Sequence, residues 1–225
     1  MTSSTRLPLF PLPNVVHFPG TPLKLHVFEP RYRRLVKDLL ETAPDARLIG
    51  MVLTRPGAFR SGQPEIFPGG TAGLLIDVEP LPDGRSNILL HGDFRFEVER
   101  EVESQPYRAA LVRPVFEAPV DERDPEILDL RRDLVDVVGI LADELGKRFP
   151  LKSDLVSEDP EAQAFEQLVN GIAAELDVPP LTKMSLLTEA LPERAAHLLG
   201  ILEGRKKLID FLRPFRHLAG DAELN

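Results

Sequence analysis

Proline punctuates the first 34 residues so tightly that no long regular element fits before residue 29. The string runs Leu7-Pro8-Leu9-Phe10-Pro11-Leu12-Pro13-Asn14-Val15-Val16, then His17-Phe18-Pro19-Gly20, then Pro22 to Phe28, then Glu29-Pro30-Arg31-Tyr32-Arg33-Arg34. Proline fixes φ and withholds a backbone donor, so each one marks where strand pairing stops or where a strand lies at an edge. Apolar pieces cut at this spacing predict two or three short strands over residues 7–28, turning proline-rich corners. That arrangement suits a small bent barrel better than a flat sheet. The period then changes. Glu29 starts a helix with Pro30 in its first turn. Tyr32, Leu35, Val36, Leu39 and Leu40 recur at helical spacing while Arg33, Arg34, Lys37 and Asp38 face elsewhere, and Pro44 ends the run.

Further along, residues 47–54 read as a strand, and the Gly- and Pro-rich residues 55–70 read as a long loop. A strand over 71–79 is followed by the turn Leu81-Pro82-Asp83-Gly84, where Pro presets φ and Gly tolerates φ > 0. The chain returns over 85–90. Phe94, Phe96 and Val98 alternate with Arg95, Glu97 and Glu99 in the pattern of a half-buried strand, and 107–115 supply one more. Gly92, between two strand-like runs, marks a bulge or a tight bend. After Pro119 the period becomes helical. Asp124-Pro125 and Asp159-Pro160 are start signals. They lead into stripes at Ile127, Leu130, Leu134, Val137, Val138, Leu141 and Leu145, and at Phe165, Leu168, Val169, Ile172 and Leu176. A short helix over 182–187 and a last one opening at Pro192, with Ala195, Leu198, Leu199, Leu202, Ile209 and Leu212 on one side, complete a small antiparallel bundle.

Charge breaks at the same place. Residues 1–118 hold 14 Lys+Arg and 14 Asp+Glu, so the net −9 lies wholly in 119–225. The fold class expected is α+β, with a β domain over 1–118 and an α-helical bundle domain over 119–225. Hydrophobic content of 43% supports a packed core. A neutral front and an acidic back repel phosphate backbones, which argues against nucleic acid as a partner. The N-terminus lacks a signal-peptide apolar core, and no apolar run approaches the ~20 residues needed to span a bilayer. With no Cys in the chain, these features predict a cytoplasmic protein without disulfides or thiolate metal sites.

The opening string, residues 47–53 (Arg-Leu-Ile-Gly-Met-Val-Leu) and residues 81–96 (Leu-Pro-Asp-Gly-Arg-Ser-Asn-Ile-Leu-Leu-His-Gly-Asp-Phe-Arg-Phe) resemble the LON substrate-binding domain, the N-terminal domain of the ATP-dependent protease La. The resemblance covers most of residues 7–116, and the helical remainder is similar at a looser level. It implies a PUA-like pseudo-β-barrel with one amphipathic helix, and a role in recognising substrate polypeptides. In full-length proteases of this kind an ATPase module and a Ser–Lys peptidase follow. This chain has no Gly-x-x-x-x-Gly-Lys-Ser/Thr phosphate loop and ends at Asn225, so a stand-alone protein without either machine is expected.

Other chemistry finds little footing. The histidines are His17, His26, His91, His197 and His217, and none forms a His-x-x-x-His or His-Glu-x-x-His pair, so no metal is expected. His17 and His26 read as surface or rim residues. No Gly-x-Ser-x-Gly elbow is present. Glu97, Glu99, Glu101 and Glu103, at period two, read as the solvated face of a strand rather than as an acid–base set. Gly69-Gly70 precedes a strand, not a helix, and so reads as a loop pair rather than a phosphate cradle. No cofactor, no catalytic residue and no enzymatic activity are expected.

Two stretches are candidate contact surfaces. Arg31 and Tyr32, at the helix start, border a groove, although capping and inward packing also account for them. Phe59 and Phe67 lie in the Gly/Pro-rich stretch where burial is least assured, whereas Phe10, Phe18 and Phe28 read as core. The main reading is a non-catalytic module that binds unfolded or apolar polypeptide segments, by strand addition at exposed edges with pockets for side chains. Two alternatives are an RNA-binding PUA-like protein, with Arg31, Arg33, Arg34 and Lys37 as its basic patch, and a small-molecule enzyme. Oligomeric state is not encoded in any feature of the sequence.

Overall fold

The structure, a computed structural model, describes residues 4–60, 63–146 and 163–213. These fall into two compact units, one of residues 1–118 with 170–189 and the other of 119–169 with 190–225.

The first unit holds β1 (Thr5–Leu12), β2 (Pro22–Val27), α1 (Pro30–Leu40), a 3-10 turn (Pro44–Ala46), β3 (Leu48–Arg60), β4 (Gln63–Pro80), β5 (Ser86–Val102) and β6 (Ala109–Val115). The strand order is β2-β5-β4-β3-β1-β6, and β6 pairs again with β5. The pairing path β5-β4-β3-β1-β6-β5 therefore returns on itself, and β2 hangs on the outside of β5. β1 is the junction. Its first half pairs antiparallel with β6, Thr5 opposite Val112 to Pro8 opposite Ala109, and its second half pairs parallel with β3, Leu9 opposite Gly50 to Leu12 opposite Leu53. Each half is laddered mainly on one side, so a proline nitrogen turned to the other side costs no ladder bond. This is how a strand carrying Pro8 and Pro11 sits inside the circuit.

Apolar residues fill both faces of these strands. Leu7, Leu9, Val52, Ala72, Phe96, Ala110 and Val112 form one cluster. On the other face, α1 lays Tyr32, Leu35, Val36 and Leu39 over Phe10, Val27, Ile49, Met51, Leu75, Ile88 and Leu90. Burying an aliphatic or aromatic side chain of this size stabilises by about 1.5–3 kcal/mol each. The helix begins where the proline at its first position allows, with Glu29 as the N-cap, and it ends at Leu40, ahead of Pro44.

Several local expectations hold. The turn at Leu81–Gly84 closes through Gly84 N–H donating to the Leu81 carbonyl at 3.0 Å, and Gly84 takes φ 79°. Gly92 sits beside a bulge, since Ala72 opposes Phe94 but Gly73 opposes Gly92. A Cβ at Gly92 would lie 2.1 Å from the Phe18 carbonyl oxygen.

Other expectations are corrected. Of residues 55–70, 55–60 and 63–70 are strand and not loop: β3 and β4 continue as a hairpin, with Thr54 opposite Ile66 and Phe59 opposite Pro64, and the register shifts between Val52 and Thr54 and again before Phe59. Gly69-Gly70 lies within β4, not in a loop. A Cβ on Gly70 would lie 2.2 Å from the Met51 carbonyl oxygen, so this strand crossing requires glycine. His17 is not a rim residue but is 3% exposed. Its Nε2 donates to the Thr21 carbonyl at 2.9 Å, while Nδ1 has no partner among the described residues. The corner it occupies is tied down by Thr71 Oγ1 donating to the His17 carbonyl (2.6 Å), Thr21 Oγ1 donating to the Phe18 carbonyl (2.8 Å) and Gly20 N–H donating to the Gly92 carbonyl (2.9 Å).

The remaining helices are α2 (Pro125–Leu145), α3 (Phe165–Glu175), α4 (Pro180–Thr188) and α5 (Leu191–Leu212). Asp124 caps α2 by accepting from the Glu126 N–H at 2.8 Å. In the second unit the buried stripe of α2 is Ile127, Leu134, Val137, Val138 and Leu141, interrupted by the buried Arg131. Arg131 donates to the Gln163 carbonyl and to Glu122, both at 2.6 Å, and lies 5.5 Å over the Phe165 ring. In α5 the buried face stops at Leu202, and Leu208, Phe211 and Leu212 are exposed. The start signal at Asp159-Pro160 lies outside the described residues.

A cut at 118/119 alone would leave residues 170–189 with the rear helices, but they group with the strands. Three contacts account for this within the first unit. The buried Arg95 donates to the carbonyls of Leu187 (2.7 Å) and Glu189 (3.0 Å) and pairs with Glu117 at 2.8 Å. Asn170 Nδ2 donates to the Pro19 carbonyl at 3.2 Å. The Met184 methyl lies against Gly69.

Candidate functional site

Two surfaces of the first unit present unsatisfied or apolar groups to solvent. The first is the outer edge of β2. β2 pairs with β5 from Pro22 opposite His91 to Val27 opposite Ser86, and among the described residues no strand covers its other side. Leu23, Leu25 and Val27 turn inward, as period two requires, while Lys24 and His26 face out. At the end of this edge lies a hollow of about 100 Å³, walled by Phe10, Leu12, Leu25, Phe28 and Tyr32, with His26 and Glu29 at its border. Phe28 is 60% exposed, contrary to its reading as core. Strand phase gives the reason. Leu23, Leu25 and Val27 take the inward positions, so the next residue points outward.

Of the pair Arg31 and Tyr32, Tyr32 lines this hollow, while Arg31 contacts two of its lining residues, Tyr32 and Glu29. Tyr32 is 3% exposed and stacks on Phe10 with ring centroids 3.8 Å apart, so it forms a wall of the hollow more than a reachable surface. Burial pushes its hydroxyl pKa up, partly offset by the adjacent Arg31 charge. The Arg31 guanidinium sits 4.6 Å over the Tyr32 ring and pairs with Glu29 at 2.8 Å. On the outer face His26 Nδ1 donates to Asn87 Oδ1 at 2.8 Å, and Asn87 Nδ2 donates to Glu79 at 2.8 Å.

The second surface is the β3–β4 hairpin. Phe59 is 69% exposed. Phe67 is half-buried, with the Arg55 guanidinium 5.0 Å above its ring. Beside it runs a cleft of about 590 Å³, with Pro64, Ile66 and Pro68 as apolar walls and Arg55, Glu65, Glu101 and Arg108 as charged ones. Arg108 donates to both carboxylate oxygens of Glu101, at 2.8 and 2.6 Å, and to the Pro64 carbonyl at 2.8 Å. Arg31 and Tyr32 thus belong to one surface and Phe59 and Phe67 to the other. Phe28, Arg55 and Arg108 were missed. Strand phase carried a signal for Phe28. Arg55 gave none, because the hairpin read as a loop, and Arg108 gave none, because its Pro64 partner is distant in sequence.

Among the described residues no group of three His, Cys, Asp or Glu side chains is placed to hold a metal ion. Glu97 and Glu101 pair with Arg113 and Arg108, and Glu99 accepts from Ser4. No helix among the described residues is long and apolar enough to cross a membrane.

Comparison with known proteins agrees with this architecture. The chain is 27% identical over 195 residues to a Lon protease of Flavobacterium johnsoniae, an alignment covering 86% of this chain and 23% of that protein. It is 30% identical over 172 residues to Lon protease 2 of Sorangium cellulosum, covering 70% of this chain and 21% of that protein. The chain therefore spans about a quarter or less of the curated relatives it matches. Among solved structures, a Lon N-terminal domain protein from Xanthomonas campestris superposes with a TM-score of 0.62 at 26% identity, covering 87% of this chain and 98% of that one. The N-terminal domain of a Mycobacterium avium complex Lon protease superposes at 0.65 with 12% identity, covering 88% and 98%, which shows the shared fold. The family described as the ATP-dependent protease La (LON) substrate-binding domain matches residues 6–204, and the chain belongs to that family.

Proposed function

We propose that this chain is a polypeptide-binding module that takes unfolded or apolar segments and performs no chemistry on them. Its first part is read as a PUA-like pseudo-β-barrel, its rear helices as an antiparallel bundle, and its setting as the cytoplasm. The observation that carries the reading is the open outer edge of β2, which ends in an apolar hollow beside the exposed Phe28. A strand offering unpaired N–H and C=O groups accepts an extended peptide, and a hollow at its end accepts an apolar side chain. Tyr32 walls that hollow with Arg31 resting on its ring, and Phe59 and Phe67 extend the contact surface on the hairpin.

The charges oppose the RNA reading. On α1, Arg31 is paired with Glu29, and Arg34 with Asp38 at 2.7 Å, so the basic patch is half neutralised. The test is binding of a permanently unfolded, carboxymethylated protein to the full chain, followed by fluorescence anisotropy. Saturable binding that an apolar peptide competes away is expected. Absence of binding to both, alongside retention of folded structure, would overturn the proposal.

A further inference from the structure

The cleft beside the hairpin holds two arginines in opposite states. Arg108 is fully engaged: its guanidinium meets both oxygens of Glu101 and the Pro64 carbonyl, and its side chain is 12% exposed. Arg55 makes one long hydrogen bond, Nε donating to the Ile66 carbonyl at 3.3 Å, and rests on the Phe67 ring. Among the described residues no carboxylate lies within ion-pair distance of it. The aromatic face below fixes the plane of the guanidinium, so its remaining N–H groups are oriented before any ligand arrives. Such a fork matches a carboxylate, two N–H groups to two oxygens.

The rest of the lining narrows the ligand. Pro64, Ile66 and Pro68 give apolar walls. Both prolines lack an N–H, so the cleft is poor in the backbone donors that capture a chain-terminal carboxylate. Glu65 lies in the same lining and repels a second negative charge. We infer that Arg55 anchors a single Asp or Glu side chain, flanked by apolar residues, within a bound polypeptide segment. The inference rests on the polypeptide-binding reading above and adds a residue class to it.

The test uses the full chain and fluorescent apolar peptides that differ at one position: Glu, Gln, two adjacent Glu, and the single-Glu peptide with an amidated C-terminus. The wild-type chain binds the Glu peptide about fivefold tighter than the Gln peptide, the size of one partly exposed ion pair. Amidation changes nothing. Arg55→Gln removes the Glu preference, Arg55→Lys keeps part of it, and Glu65→Gln tightens binding of the two-Glu peptide. Arg55 is exposed, so thermal melts of the variants match the wild type. Equal binding of the Glu and Gln peptides, a preference that survives Arg55→Gln, or loss of binding on amidation overturns the assignment while leaving the polypeptide-binding reading in place. Failure of every peptide and of the unfolded protein to bind overturns both.

Discussion

The β2 edge and the β3–β4 hairpin offer other molecules different kinds of contact. At the β2 edge the available groups are main-chain donors and acceptors and the rims of core aromatics. The stack of Phe10 and Tyr32 is continuous with the cluster under α1. On the hairpin the available groups are an isolated phenyl ring at Phe59 and an unneutralised guanidinium at Arg55, carried on a two-stranded arm whose register shifts twice. One surface is therefore a face of the folding core, and the other is attached to it. A side chain lost at the first is therefore expected to cost more global stability than one lost at the second.

The largest effect that separates them is mechanical. Tyr32→Ala removes a buried, stacked ring and costs about 3 kcal/mol of stability, whereas Phe59→Ala changes stability by less than about 0.5 kcal/mol. Urea denaturation of both variants measures this, and similar losses at the two sites would erase the distinction.

Acid comes next. His17 lies in the corner leading into β2, and burial lowers its pKa below the ordinary 6.5, with His91 adding to the effect and the bond to Thr21 opposing it. Its Nε2 carries the hydrogen bonded to Thr21, so a second proton would fall on Nδ1, which has no acceptor. The unfolded chain thus binds this proton more readily than the folded one. Stability from His17 is intact above pH 6.5 and falls as the pH drops from there toward the lowered folded value, by at most about 1.4 kcal/mol per pH unit. Amide exchange between β2 and β5 is expected to lose protection over that window before the hairpin does, and His17→Gln flattens the dependence. A pH profile unchanged by that substitution would remove His17 from the account.

Phe28→Ala is expected to weaken binding of apolar segments about tenfold, through loss of one exposed aromatic anchor, with the melting temperature unchanged. Binding assays and calorimetry together decide it. The smallest effect is ionic. Raising salt reduces affinity for acidic segments by a few-fold, because the Arg55 charge is screened, and leaves purely apolar segments nearly unaffected.

What could be read in advance was what neighbouring residues decide among themselves. The cap and first turn of α1, the stop before Pro44, the glycine turn at Leu81–Gly84 and the Asp124 cap of α2 all depend on a handful of adjacent residues. Gly70 and the hairpin were misread because glycine and proline look the same in a loop and in a strand that another backbone approaches closely. Only the Met51 carbonyl, 2.2 Å from where a Cβ would stand, tells the two apart. His17 was misplaced because its burial depends on Thr71 and Gly73, distant in sequence. Residues 170–189 were assigned by helical periodicity, whereas their placement follows from Arg95 and Asn170, whose partners no local pattern announces.

The junction strand also sets an order of events. β1 is made before the strands it pairs with, carrying Leu7, Leu9 and Phe10, yet its first half finds its ladder only when Leu7 meets Ala110. A strand made before its partners is therefore among the last to be sheltered. Closing so distant a contact is slow, and a nascent chain meanwhile carries this apolar strand uncovered. Leu7 and Leu9 thus stay uncovered until β6 has been made and has closed over them.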